Sequence, residues 1–488
     1  MTVESMIKMF IASIKDRNLD GEYLMLMRAE EPSKIFNAGF ETIIDLSIKY
    51  NKKGIGDTVS GVLFAKELAE LSHTLCGDSA YKLSLWTFHN SFPNAKLPVR
   101  TNLLKMEDAE GDKEKLLKKA LKGVKDLNEV VSYSATTHYL NLCETKAEKI
   151  DYLIRLNSGF FDFGGVYLSQ LGVYLKYIVE KDIDILDKMI SGIAKRYAFI
   201  NRIDTQPQLQ EVRETLKKSV ISILEKESTE RILSREEIHG ASEGFLMLEY
   251  NEVNELVEEL FSRGIGRDEF FNILRLAALK RALLFNHKNR DFRANKSMGW
   301  LLSIAGINYL QGIKYIKDAA DKVQLSIDIE ILADWYINAI WLILDSKKVS
   351  LQNQELVDRL DAISSNNIKE NDVFTYEKMG ELARHLYSGK AIREAFGFVY
   401  QNPESSFEVV CEMINYLFEY DNGDPLVESA FMRLSTALVD IVRNAFATML
   451  GAYSSALIAL TLSNRSIFNF GQGHSRYELV REMAKMFG

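Results

Sequence analysis

The sequence predicts a predominantly α-helical protein, with a mixed α/β N-terminal domain followed by a helical middle region and a C-terminal helical bundle. Three observations predict it. Only 6 prolines occur in 488 residues, and none lies between 207 and 403, a long stretch free of the strongest helix breaker. From about Gly165 onward apolar residues recur three and four apart, as in Val166, Leu168, Leu171, Tyr174, Leu175 and Ile178. Before that point the pattern differs: residues 81–88 (YKLSLWTF) form a β-rich run, and Pro93 and Pro98 close behind it read as an extended loop.

Taken in chain order, residues 1–18 (MTVESMIKMFIASIKDRN) read as an amphipathic helix, since Lys8 interrupts the apolar residues and no small-residue cleavage site follows. Residues 22–28 (EYLMLMR) and 129–142 (EVVSYSATTHYLNL) are further strand candidates, although Leu and Met in the first leave a helix open, while 57–75 and 112–126 show helical spacing. Beyond them, helices are expected over 165–180, 182–202, 208–226, 250–263, 268–286, 297–321, 325–346, 374–400, 405–420 and 426–463. Breaks fall at 204–207, at 364–371 (SSNNIKEN), at 401–405 (QNPES) and at 421–425 (DNGDP). With SSNNIKEN as linker, the expected units are 1–165, 166–365 and 372–488. The uncharged stretch 444–464 is long enough to cross a bilayer, but its Asn444, Thr448, Ser454, Ser455 and Thr461 and its many alanines favour a buried bundle helix. No membrane association is expected.

Composition narrows the function without naming it. The chain carries 60 Lys plus Arg against 68 Asp plus Glu, a net charge of -8, and is 47% hydrophobic. Disordered, collagenous and disulfide-scaffold classes are excluded. Any nucleic-acid contact has to come from local basic patches rather than from the overall field. Cys76, Cys143 and Cys411 lie far apart and form no CxxC pair, which fits a reducing cytoplasm and suggests neither a thiolate zinc site nor a disulfide framework.

Catalytic motifs are weak. Gly54, Gly56 and Gly61 in KGIGDTVSG lack the spacing and the Gly-Lys-Ser/Thr ending of a phosphate loop. Asp162-Phe163-Gly164 copies the kinase magnesium tripeptide without a kinase glycine loop or HRD sequence. Glu236 and His239 make one ExxH pair where a carboxylate-bridged di-iron site requires two. The 7 histidines are scattered, so no metal, cofactor or catalytic residue is assigned. Arg281 and His287 in RALLFNH loosely match the Arg-and-His motif of HEPN-type ribonucleases, in which His acts as acid or base and Arg stabilises phosphorane charge. A basic helix end explains the same residues.

Three segments are candidates for nucleic-acid contact. Residues 275–296 (RLAALKRALLFNHKNRDFRANK) hold Arg275, Lys280, Arg281, Lys288, Arg290, Arg293 and Lys296 against the single acid Asp291, a local charge of +6. In a chain of -8, such a patch needs either an acidic internal partner or an external anion. Phe285, Phe292 and Trp300 interleave with it, as stacking on bases or packing beneath a basic surface would both require. A second basic face carries Lys113, Lys115, Lys118, Lys119, Lys122 and Lys125, offset by Asp112, Glu114 and Asp126, and its default reading is an exposed helix face. The third is the loop after residues 86–88, bearing Asn90, Asn94, Lys96 and Arg100, whose side chains carry donors suited to base edges. Turn chemistry accounts for the same Asn and Pro residues.

Residues 37–44 (NAGFETII), followed about 45 residues later by 86–92 (WTFHNSF), resemble the large subunit of type I CRISPR surveillance (Cascade) complexes. In several variants of that family an Asp/Asn-Ala-Gly helix start is followed by a strand ending in an Asn-Ser turn. The resemblance covers residues 35–100, and this chain lacks the paired CxxC cysteines of the zinc-containing variants. It implies a mixed N-terminal domain with a C-terminal helical bundle, and a non-catalytic subunit of an RNA-guided antiviral defence complex. Such a subunit would contact target DNA and the short motif flanking it, together with guide RNA, other complex subunits and a helicase-nuclease. Base pairing would then supply sequence specificity. On that reading Asn90, Asn94, Lys96 and Arg100 meet duplex edges, and Lys280, Arg281, Lys288, Arg290, Arg293 and Lys296 meet phosphates. The alternative is a helical scaffold or adaptor without nucleic acid, its basic patch docked on an acidic protein.

Overall fold

Several helix starts among the described residues are set by short-range capping chemistry. The computed structural model describes residues 2–16, 110–162, 164–180, 186–197, 202–226, 233–284 and 297–345, with 433–434, 436–441, 450, 453–454 and 457 near the C-terminus. Among these residues lie α1 (Val3–Asp16), α2 (Lys113–Lys125), α3 (Glu129–Asn141), α4 (Lys146–Ser158), α5 (Val166–Glu180) and α6 (Leu186–Tyr197). There follow α7 (Pro207–Leu224), α8 (Arg235–Met247), α9 (Val253–Ser262), α10 (Arg267–Leu284), α11 (Ser297–Lys322) and α12 (Ile329–Asp345). Asp112 caps α2 by accepting from the Lys115 N–H at 2.9 Å. Thr145 and Ser234 open α4 and α8, each in a capping box closed by Glu148 or Glu237 three residues on. Pro207 begins α7, where its missing N–H has no partner to lose.

The described residues are thus predominantly α-helical. They contain no strand, only one isolated antiparallel bridge between Asp162 and Arg202. Residues 129–142, expected as a strand, form α3 instead. Asn128 caps it by accepting from the Val131 N–H at 3.1 Å. Its buried face is small and partly polar, running through Ser132, Ser134, Ala135, Thr136, Tyr139 and Leu140. Ser132 Oγ donates to the Ala194 carbonyl at 2.8 Å, and the Thr136 and Tyr152 hydroxyls lie 2.6 Å apart. Hydrogen bonds across the seam let Ser and Thr act as core residues, which is why apolar spacing alone misreads this segment. The strand candidates 22–28 and 81–88, the helix candidates 57–75, 374–400 and 405–420, and the linker 364–371 lie outside the described residues.

Helices α2, α3, α4 and α6 pack together at one end, and α4 also touches α12. The rest of the core is built on α10, α11 and α12, which contact one another, with α5 along α11, α7 against α12, and α8 against α10. Helix α5 approaches α11 closely because glycines meet there: a Cβ on Gly172 would lie 2.6 Å from the Gly312 carbonyl oxygen, and one on Gly312 2.6 Å from Ser169 Cα. Side chains 335–344 of α12 are buried on every face, as expected of a central helix. Aromatic pairs tie it in. Phe270 and Tyr336 stack with centroids 5.8 Å apart, and Tyr250 and Trp341 stack at 4.8 Å. No helix among the described residues is long and apolar enough to cross a membrane.

Candidate functional site

Helix α10 brings the first half of the +6 stretch into the structure, and it brings it inward. Side chains 273–284 are all buried, Lys280 fully and Arg281 to 2% exposure. Lys280 and Arg281, two of the expected phosphate contacts, are thus interior side chains. Burial pushes the Arg281 guanidinium down to about 10, because the apolar surroundings disfavour the charged form.

The neighbours of these cations show what they do. Arg275 donates to Gln311 Oε1 of α11 at 3.2 Å, lies 3.8 Å from Asp440 Oδ2, and rests over the Phe271 ring. Gln311 in turn donates to the same Asp440 oxygen at 3.0 Å, and Lys314 stands 3.6 Å from it. Burial lowers the Arg275 pKa, and the Asp440 carboxylate opposes that shift. Lys280 donates to His239 Nδ1 of α8 at 2.9 Å, lies 3.6 Å from Glu243, and sits over the Tyr453 ring. Two charge clusters, built on the buried Arg275 and Lys280, thus link α10 to α11, to α8 and to residues of the C-terminal region. Of the two alternatives the sequence left open, an acidic internal partner or an external anion, Arg275 and Lys280 have the first. Asp440 was the readable signal, a lone acid in the apolar run TALVDIV.

The remaining predicted residues divide plainly. Lys288, Arg290, Arg293 and Lys296 lie in the connection between α10 and α11, outside the described residues, as does His287. Asn90, Asn94, Lys96 and Arg100 also lie outside them, with the two segments that carry the family resemblance. Glu236 is exposed at the first turn of α8, while His239 lies against Lys280. Asp162 of the kinase-like tripeptide is a buried helix cap: its carboxylate accepts from the N–H groups of Val166 and Tyr167, at 3.0 and 3.2 Å, at the start of α5. Burial pushes its pKa up to about 7, against those two hydrogen bonds and the charge of Arg433. Among the described residues no group of three His, Cys, Asp or Glu side chains is arranged to hold a metal ion.

The lysine helix α2 behaves differently from α10. Leu116, Leu117, Ala120 and Val124 face the core, and Lys115, Lys118, Lys122 and Lys125 are exposed. Comparison with known proteins finds no matching family model, no matching curated protein and no matching solved structure.

Proposed function

We propose that the chain is a non-catalytic large subunit of an RNA-guided CRISPR surveillance complex, contacting target DNA and its flanking motif within a cytoplasmic assembly. The observation that carries this reading is the pair of segments at 37–44 and 86–92, which resemble that family in residue content and separation. A predominantly helical body is in keeping with it. Guide RNA would read the target by base pairing, and protein side chains would hold backbone and flanking motif. With Lys280 and Arg281 inside the helical core, the phosphate role narrows to Lys288, Arg290, Arg293 and Lys296. Asn90, Asn94, Lys96 and Arg100 keep the proposed duplex contact.

The test is co-expression with the other complex subunits and guide RNA, followed by gel-shift titration of a target duplex over a salt series. Replacing Lys288, Arg290, Arg293 and Lys296 by Glu should weaken binding and lower the log–log salt slope by about 3 to 4. An unchanged slope removes the phosphate role.

One observation favours the helical scaffold as second reading. Arg275 and Lys280 are already matched by Asp440 and by Glu243 with His239, so two of the seven cations of the basic stretch require no external anion. A full set of partner subunits that assembles on the chain with no dependence on nucleic acid would select it. The ribonuclease reading would need Arg281 at a substrate-facing surface, and its buried position gives that reading no support.

A further inference from the structure

Helix α2 has the sequence KEKLLKKALKGVK, six lysines and one glutamate, and the structure sorts those lysines into two groups. Lys113 is committed inward, 2.7 Å from Glu148 of α4, and Lys119 is half-buried. Lys115, Lys118, Lys122 and Lys125 are exposed, and their spacing of three, four and three residues puts all four on one face. At 1.5 Å rise per residue the stripe spans about 15 Å, the axial run of about four phosphates on one strand of B-form DNA.

The carboxylates beside the stripe do not neutralise it. Asp112 lies 3.9 Å from Lys115 and Glu114 lies 3.4 Å from Lys118, with both acids more than 60% exposed at 66% and 63%. Such solvated pairs contribute little and exchange readily for another anion. Asp126 stands beyond the last lysine as the C-cap. The helix has no Arg and no aromatic residue, the side chains that anchor protein–protein contacts and read base edges. Lysines alone are point charges suited to a phosphate backbone without sequence preference.

We propose that the Lys115, Lys118, Lys122 and Lys125 face of α2 is a sequence-independent docking surface for the phosphate backbone of duplex DNA. It deepens, and rests on, the reading of the chain as a DNA-contacting subunit, and it adds a site distinct from the 288–296 stretch. The face holds one strand by charge while the flanking motif is read elsewhere.

The full-length chain tests this by fluorescence anisotropy with a random-sequence labelled duplex over a potassium chloride series. Wild-type binding should be weak, with Kd on the order of 10⁻⁵ M, and steeply salt-dependent. The quadruple Lys→Gln variant at 115, 118, 122 and 125 should lower the log–log slope by about 3 to 4, and the quadruple Lys→Glu variant should weaken binding further. All four positions are exposed, so both variants should melt with the wild type; if the Glu set fails to fold, the Gln set decides alone. Equal slope and affinity in wild type and folded variant would overturn the proposal, and so would a wild type that binds no duplex. Assembly with partner subunits and guide RNA is scored separately. A chain that binds through the stripe but never assembles sinks the subunit reading and leaves the stripe. A chain that assembles with the quadruple variant unaffected does the reverse.

Discussion

Lys280 shows how a residue's meaning changes with its surroundings. In the sequence it is one of seven cations in a basic run; in the fold it is fully buried against His239, Glu243 and Tyr453. Arg275 is the sharper case, because its carboxylate partner Asp440 is buried as well. Removing one member of such a pair strands the other charge, so Asp440→Ala should lower unfolding free energy by about 3 to 5 kcal/mol in urea denaturation. The Arg275→Met, Asp440→Leu double variant should recover much of that loss, and additive losses would show that the two do not act as a pair. Asp162 supplies a pH-dependent counterpart. Its folded pKa, about 7, lies above the unfolded value, so its contribution is full in acid and is lost as pH rises through the folded value. On the order of 2 to 4 kcal/mol should disappear between about pH 4 and pH 7. Asp162→Asn should flatten that fall while losing one of the two cap hydrogen bonds, at about 1 kcal/mol. Parallel pH curves for the two proteins would contradict the assignment.

At the scale of elements, close approach and capping decide more than propensity does. Gly172 and Gly312 let α5 and α11 touch backbone to backbone, and Gly312→Ala places a methyl 2.6 Å from Ser169 Cα. That substitution should cost about 1 to 3 kcal/mol, read as a shift in the denaturation midpoint. An unchanged midpoint would mean the helices are not in such contact. Much of this layer was legible in the chain: α5, α7, α9, α10, α11 and α12 follow the apolar spacing closely. Helices α4 and α8 escaped the apolar count, yet their capping boxes, Thr145 with Glu148 and Ser234 with Glu237, were readable without it. Helix α3 was misread because its core face uses Ser132, Ser134 and Thr136, whose burial depends on partners distant in sequence, Ala194 and Tyr152. The candidate site was legible only in part. Charge spacing exposed the lysine face of α2, but nothing local reveals that Lys280 points to α8 or that Arg275 meets Asp440.

For the whole molecule, the -8 total conceals two kinds of positive charge. Among the described residues one kind lies inside, where Arg275 and Lys280 join helices, and the other is exposed on the face of α2. On the proposed reading the chain should bind DNA weakly when alone and firmly with partner subunits and guide RNA, since its net charge is -8 and phosphate contacts must be local. The most direct measurement is binding of guide-matched and of random duplex by the chain co-purified with complex subunits and guide RNA. The account predicts a gain of at least a thousandfold or so in affinity for guide-matched duplex over random duplex, a ratio typical of specific against non-specific binding. A chain that forms no complex with those subunits and guide RNA, or a complex that binds matched and random duplex equally, would contradict it.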